Sequence, residues 1–120
     1  MSKYKNKKTT VFGITFDSKR EAERYLILRT LERQGVIKDL RLQVRYELIP
    51  EQREPDTIGP RGGVKKGKVI EKACNYVADF VYVDNQGNEV VEDAKGVRTK
   101  EYRIKKKLML WVHKIKIKEW

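Results

Sequence analysis

The chain has 120 residues, of which 39% are hydrophobic and 38% charged, enough apolar material in periodic segments for one modest core but not for two, and too much for wholesale disorder. A formal net charge of +11 on so small a domain points to a polyanionic partner, nucleic acid first. A lone cysteine, Cys74, excludes an intramolecular disulfide, and no apolar run reads as a secretion signal or a membrane span, so the expected location is the cytoplasm.

The N-terminal MSKYKNKKTT carries Lys3, Lys5, Lys7 and Lys8 with no apolar periodicity. It reads as a mobile basic arm, residues 1–10, that binds nucleic-acid backbone without sequence preference, ahead of a single domain over residues 11–120. In FDSKREAERYLILRTLERQG the punctuation predicts a helix over Lys19 to Gln34. Asp17 or Ser18 caps it, Glu21 completes a capping box with Ser18, and Gly35 ends it. LRLQVRYELI then alternates, Leu42, Val44, Tyr46 and Leu48 on one face, Gln43, Arg45 and Glu47 on the other, as a half-buried strand does. Residues 50–68 hold all three prolines and four of the eight glycines and read as a long loop or irregular hairpin end. CNYVADFVYVD, NQGN and EVVEDAKG form a hairpin whose turn relies on positive φ at Gly87. Thr99 caps a second helix through YRIKKKLMLWV, and HKIKIKEW alternates again as a final strand.

The order helix, strand, strand, strand, helix, strand indicates a mixed α/β (α+β) fold, a mostly antiparallel sheet with a helix on either side. Charge is unevenly spread along it. Between Lys95 and Trp120 there are ten Lys/Arg against two Glu, so +8 of the +11 lies in the last 26 residues.

The stretch VVEDAKG, residues 90–96, interrupts a buried-strand pattern with three charges. Strand alternation puts Val91, Asp93 and Lys95 on one face and Val90, Glu92 and Ala94 on the other. On the partner strand Asp79 breaks an apolar row, sharing a face with Val77 and Val81, while Ala78, Phe80 and Tyr82 take the opposite one. The separation of 14 positions from Asp79 to Asp93, with the turn near the middle, sets the two carboxylates across from each other. Facing carboxylates in an apolar setting repel, and a divalent cation between them relieves the repulsion; hard oxygen ligands select Mg²⁺ or Mn²⁺. Lys95 adds a positive charge beside that site, suited to orienting water or steadying charge on a phosphate. Gly96, without a side chain, lets a phosphate or backbone come close. Metal, carboxylates, lysine and a basic surface together point to phosphodiester hydrolysis.

Asp79, then Asp93-Ala94-Lys95 on the next strand, in this element order, resembles the PD-(D/E)XK nuclease superfamily. SKYKNKKT, FDSKREAERY, ADFVY, EDAKG and YRIKKKLM together resemble a group of small phage proteins related to Holliday junction resolvases and restriction-type endonucleases. The resemblance covers nearly the whole chain. It implies a restriction-endonuclease-like core with a central mixed sheet flanked by helices. It also implies that Asp79 and Asp93 hold the metal, that the Ala94 carbonyl adds a ligand, that Lys95 is the catalytic lysine, and that an acid from the first helix, here Glu21, joins them. Ala78 stands where the motif has proline.

Other residues carry weaker signals. Glu21 is explained equally by its capping box, although it shares a helical stripe with Tyr25 and Leu28. Glu92, turned away from Asp93, is expected to face solvent or an edge. Lys105, Lys106 and Lys107 suit phosphates flanking the scissile one. His113 has no partner at metal-ligand spacing, Cys74 reads as a small buried hydrophobe, and Tyr102, Trp111 and Trp120 read as core rather than base-stacking residues. The expectation is a Mg²⁺- or Mn²⁺-dependent DNA endonuclease of phage origin, acting on junctions in DNA recombination in the bacterial cytoplasm. A homodimer follows from the two cuts a junction needs, and no small-molecule cofactor or membrane is involved. The alternatives are a nuclease for duplex or flap DNA, or a non-catalytic basic nucleic-acid-binding protein.

Overall fold

Two short strands, β1 (Thr9–Val11) and β2 (Ile14–Phe16), pair as a hairpin around Phe12 and Gly13, both at positive φ. In the computed structural model, which describes residues 7–95 and 97–120, the basic segment thus gives way to a strand already at Thr9. Lys3, Lys5 and Gly96 lie outside the described residues. Helix α1 (Lys19–Arg33) starts at Ser18, whose hydroxyl accepts from the Glu21 N–H (3.1 Å). One face of it, Ala22, Tyr25 and Leu28, packs with Phe16, Ile37, Phe80 and Tyr82. Burying a side chain such as Leu28 contributes about 1.5–3 kcal/mol.

Strand β3 (Lys38–Ile49) leads out of the sheet into a ribbon of four short strands, β4 (Gln52–Arg53), β5 (Thr57–Ile58), β6 (Val64–Lys65) and β7 (Val69–Glu71). Of the two readings of this segment, long loop or irregular hairpin end, the second holds: β4 pairs with β7 and β5 with β6. The chain returns as β8 (Cys74–Val83), antiparallel to β3, and turns at Gly87 (φ 84°) into β9 (Glu89–Asp93). Thr99 caps α2 (Lys100–His113). This helix crosses over to β10 (Lys118–Glu119), which pairs parallel with β9, as a helical crossover allows. The main sheet has the order β10-β9-β8-β3 and is mixed. Only the end of HKIKIKEW becomes strand; Ile115 and Ile117 before it pack into the core with Tyr76, Val81, Tyr102 and Met109.

Alternation along β3 and β8 does not run through unbroken. Leu40 and Leu42 join the core under α1, whereas Val44, Tyr46 and Leu48 join the one against α2, and Gln43 between them sits at φ 52°. On β8, Tyr76 and Ala78 belong to the α2 core, while Phe80 and Tyr82 belong to the α1 core. Asp79 lies at that changeover, so Ala78 and Phe80 do not share a packing partner as strict alternation requires.

Glu92 is not solvent-facing. It is 0% exposed and forms a two-point ion pair with Arg24 of α1 (2.5 and 2.7 Å), and its Oε1 also accepts from the Tyr82 hydroxyl (2.8 Å). The Arg24 guanidinium lies over the Trp120 ring, 5.3 Å from its centre, and Arg20 donates to the Trp120 carbonyl (2.9 Å). The C-terminal residue thereby ties α1 to the sheet edge, its own N–H donating to the Asp93 carbonyl (2.9 Å).

Glu92→Leu strands the Arg24 charge and is expected to lower stability by about 3–5 kcal/mol. In urea unfolding the midpoint should fall at unchanged slope, and the double variant Arg24→Met with Glu92→Leu should regain most of the loss.

Candidate functional site

The β8–β9 ladder pairs Val81 with Val91 and Phe80 with Glu92, and its continuation sets Asp79 opposite Asp93. The spacing argument from sequence thus locates both carboxylates correctly. Asp93 is 1% exposed, and both of its carboxylate oxygens are buried without an aligned hydrogen-bond partner among the described residues. The Lys95 ammonium stands 3.3 Å from Oδ2, an ion pair whose alignment falls short of a hydrogen bond. Lys95 is itself held over the Tyr102 ring, 4.7 Å from its centre. Asp79 is half-buried; its Oδ2 accepts from the Ala94 N–H (3.0 Å).

Glu21 comes from the other core. It is buried, and its Oε1 accepts from Gln43 Nε2 (3.0 Å), the same nitrogen that lies 3.4 Å from Asp79 Oδ1. Ser18 caps through its own hydroxyl, so the cap leaves the Glu21 carboxylate to be drawn toward the sheet. Gln43 bridges helix and hairpin from a positive φ that a non-glycine residue adopts only under constraint. The five residues singled out for the site, Glu21, Asp79, Asp93, Ala94 and Lys95, are therefore brought to one place.

The electrostatics follow from burial. Asp79 is held well above the usual carboxylate range, first by desolvation, then by the Asp93 side chain and the Glu21 charge, with the Ala94 N–H opposing. Glu21 is also raised, by burial first and then by Asp17 and Asp93, while Lys95 pulls it down. Tyr76 keeps its proton, through burial first and then the neighbouring Asp93 carboxylate.

Among the described residues no three His, Cys, Asp or Glu side chains already form a group able to hold a metal ion. The residues nonetheless fit a hard cation by their chemistry. Among the described residues the two buried Asp93 oxygens make no aligned hydrogen bond, Asp79 faces them, and every candidate ligand is an oxygen. A cation here would supply the positive charge that Asp79 otherwise replaces with a proton.

The expected phosphate-binding lysines divide. Lys105 pairs with Glu101 (3.0 Å) and Lys106 with Glu119 (3.1 Å), whereas Lys107, Lys7 and Lys8 are exposed. Glu119 is drawn down to about 2 by Arg98, against the desolvation that raises it, with Tyr102 and Lys106 adding to the pull. Arg98, Arg103, Lys106 and Lys107 line a groove of about 410 Å³ with Tyr102 and Leu110, and its Tyr102 wall touches Lys95. Trp111 is 75% exposed rather than core. Tyr102 is buried, Trp120 half-buried and Cys74 half-buried beside the core; His113 meets the Glu47 carbonyl (2.6 Å).

Sequence reasoning missed Gln43, Tyr76 and the Arg24–Glu92 pair. Gln43 looked like an ordinary outward residue of an alternating strand, and Tyr76 carries no signal beyond its place in the strand CNYVADFVYVD. A buried role for Glu92 was signalled only by its place at the end of an apolar run.

Because the folded chain raises Asp79 and Glu21, it binds protons that the unfolded chain has released above about pH 4. Their contribution is full below the unfolded pKa values and is lost as pH rises through the folded ones. In EDTA, Asp79→Asn should therefore melt higher than wild type at pH 8, with the gap closing toward pH 4; thermal melts across that range measure it.

A family model described as a protein of unknown function, DUF1064, matches residues 1–119. The chain belongs to that family. No curated protein and no solved structure matches it.

Proposed function

We propose that this member of the DUF1064 family is a divalent-metal-dependent DNA endonuclease of the PD-(D/E)XK type, with a restriction-endonuclease-like core. The observation that carries the reading is the buried Asp93 carboxylate, which makes no aligned hydrogen bond among the described residues, opposite Asp79 and 3.3 Å from the Lys95 ammonium. A structural ion pair in a core is normally satisfied at every polar atom, as Arg24–Glu92 is, and Asp93 breaks that pattern.

In this reading Asp79, Asp93 and the Ala94 carbonyl hold Mg²⁺ or Mn²⁺, with Glu21 completing the set. The bound cation supplies Lewis acidity toward a phosphate oxygen and its ligand water. Lys95, fixed by Asp93 and the Tyr102 ring, presents its ammonium to the scissile phosphate and to the attacking water. Gln43 keeps the Glu21 and Asp79 carboxylates in register by donating to both. Arg103 and Lys107 receive flanking phosphates along the α2 groove, beside Arg98 and Lys106, which are held by Glu119, and Lys7 and Lys8 extend the basic surface. The proposed substrate is branched DNA of the Holliday junction kind, cut by a homodimer in the bacterial cytoplasm during recombination.

The test is cleavage of end-labelled four-way junction, flap and linear duplex with Mg²⁺, Mn²⁺ or EDTA. Paired symmetrical nicks in the junction are expected, abolished by EDTA. Asp93→Asn and Lys95→Ala should each lose roughly 100-fold or more in rate while still binding DNA. Equal cutting of all three substrates would keep the nuclease and remove the junction preference. Binding without any cut, equal in wild type and Asp93→Asn, would leave a non-catalytic basic binding protein.

A further inference from the structure

The ribbon between β3 and β8 takes no part in the proposed chemistry. The protein has a long axis of 62 Å and a radius of gyration of 19.0 Å, against about 14 Å for a compact chain of this length. It is a built element. Arg53 donates to the Gly67 carbonyl (2.9 Å), Asp56 Oδ1 accepts from the Gly67 N–H (2.9 Å), and the Glu54 N–H donates to the Lys68 carbonyl (2.8 Å). Gly67 is required there, since a Cβ would sit 1.8 Å from the Glu54 carbonyl oxygen.

Its tip combines two features that solvent exposure alone does not explain. Ile58 and Val64 face each other across β5–β6 and are 79% and 72% exposed. Around them, residues 57–68 carry Arg61, Lys65, Lys66 and Lys68 and no acid. A paired aliphatic wedge flanked by cations suits a polyanion with an apolar interior. A two-stranded ribbon also has the width that a DNA groove admits, and aliphatic wedges are inserted between base steps by proteins that bend duplexes.

We infer that the ribbon of residues 50–73 is a duplex-DNA arm: its lysines and Arg61 straddle a groove and Ile58 with Val64 press against the base stack. The inference rests on the nucleic-acid reading of the protein but not on its catalysis. From Asp79 to Val64 a strand rise of roughly 3.3 Å per residue limits the reach to about 50 Å. The arm therefore grips duplex up to roughly 15 base pairs from the site that would cut it.

The experiment uses the full chain carrying Asp93→Asn, so that binding is read without cutting. Its probe is a fluorescein-labelled linear duplex longer than the arm's reach, and a second duplex carries 2-aminopurine to report unstacking. Lys65→Ala, Lys66→Ala and Lys68→Ala combined should weaken binding at least about tenfold and flatten the slope of log K against log salt by about 0.9 for each phosphate no longer neutralised. Ile58→Ala with Val64→Ala should keep that slope and lose the rise in 2-aminopurine fluorescence. These positions are exposed, and melting curves check that the variants fold. Unchanged affinity, slope and fluorescence would overturn the inference. So would variants that bind DNA normally but change the mass of the particle in solution, which would make the arm an interface between copies. Arm-dependent binding by a wild-type chain that never cuts DNA would sustain the arm and remove the nuclease.

Discussion

Two carboxylates that face each other across a hairpin, one of them fully buried, are the constraint around which this fold is arranged. Leaving Asp79 and Asp93 both charged beside the core of Tyr76, Val81 and Val91 would be costly, because neither like-charge repulsion nor desolvation is screened there. The chain answers with partial compensations: the Ala94 N–H and Gln43 for Asp79, and the Lys95 ammonium for Asp93. Among the described residues none of them makes an aligned hydrogen bond to the Asp93 oxygens. A site left short of positive charge and of donors is poised to gain from a cation, and the proposed nuclease chemistry uses that deficit.

The surrounding structure keeps the arrangement from relaxing. The buried Arg24–Glu92 pair fixes α1 against the strand that carries Asp93, one residue along and on the opposite side. Glu21 lies three residues before Arg24, so the same anchor that holds the helix aims its first turn at the hairpin. Trp120 closes the assembly by covering the Arg24 guanidinium and bonding to the Asp93 backbone. The changeover between the two cores at Gln43 and Asp79 lets one point of the sheet be approached from the helix on each side, Glu21 from α1 and Tyr102 from α2.

Local signals made much of this legible in the sequence. Ser18 and Thr99 do cap the helices, Gly87 does turn the hairpin, and the spacing from Asp79 to Asp93 places the two residues opposite each other. What stayed hidden depended on long-range partners or on backbone irregularity. Glu92 was misread because its counter-ion, Arg24, lies 68 residues away. The face change at Gln43 leaves a perfect alternating pattern in the letters, so neither its positive φ nor its bridging role was visible. The β1–β2 hairpin was too short to show a period, and the ribbon's ladders were masked by prolines and glycines that usually mark loops. Whether the site turns over DNA is not written in spacing at all, since catalytic and purely structural acid–lysine clusters use the same letters.

The most direct measurement is ¹H–¹⁵N correlation NMR of the wild-type chain titrated with substoichiometric Mn²⁺. The account predicts that the amides of Ala94, Lys95, Asp79 and Gln43 broaden first, that excess Mg²⁺ or EDTA restores them, and that Asp93→Asn abolishes the effect. Broadening confined to the acidic turn at Asp84–Asn88, or spread evenly over the surface in wild type and Asp93→Asn alike, would contradict a metal site between the facing aspartates.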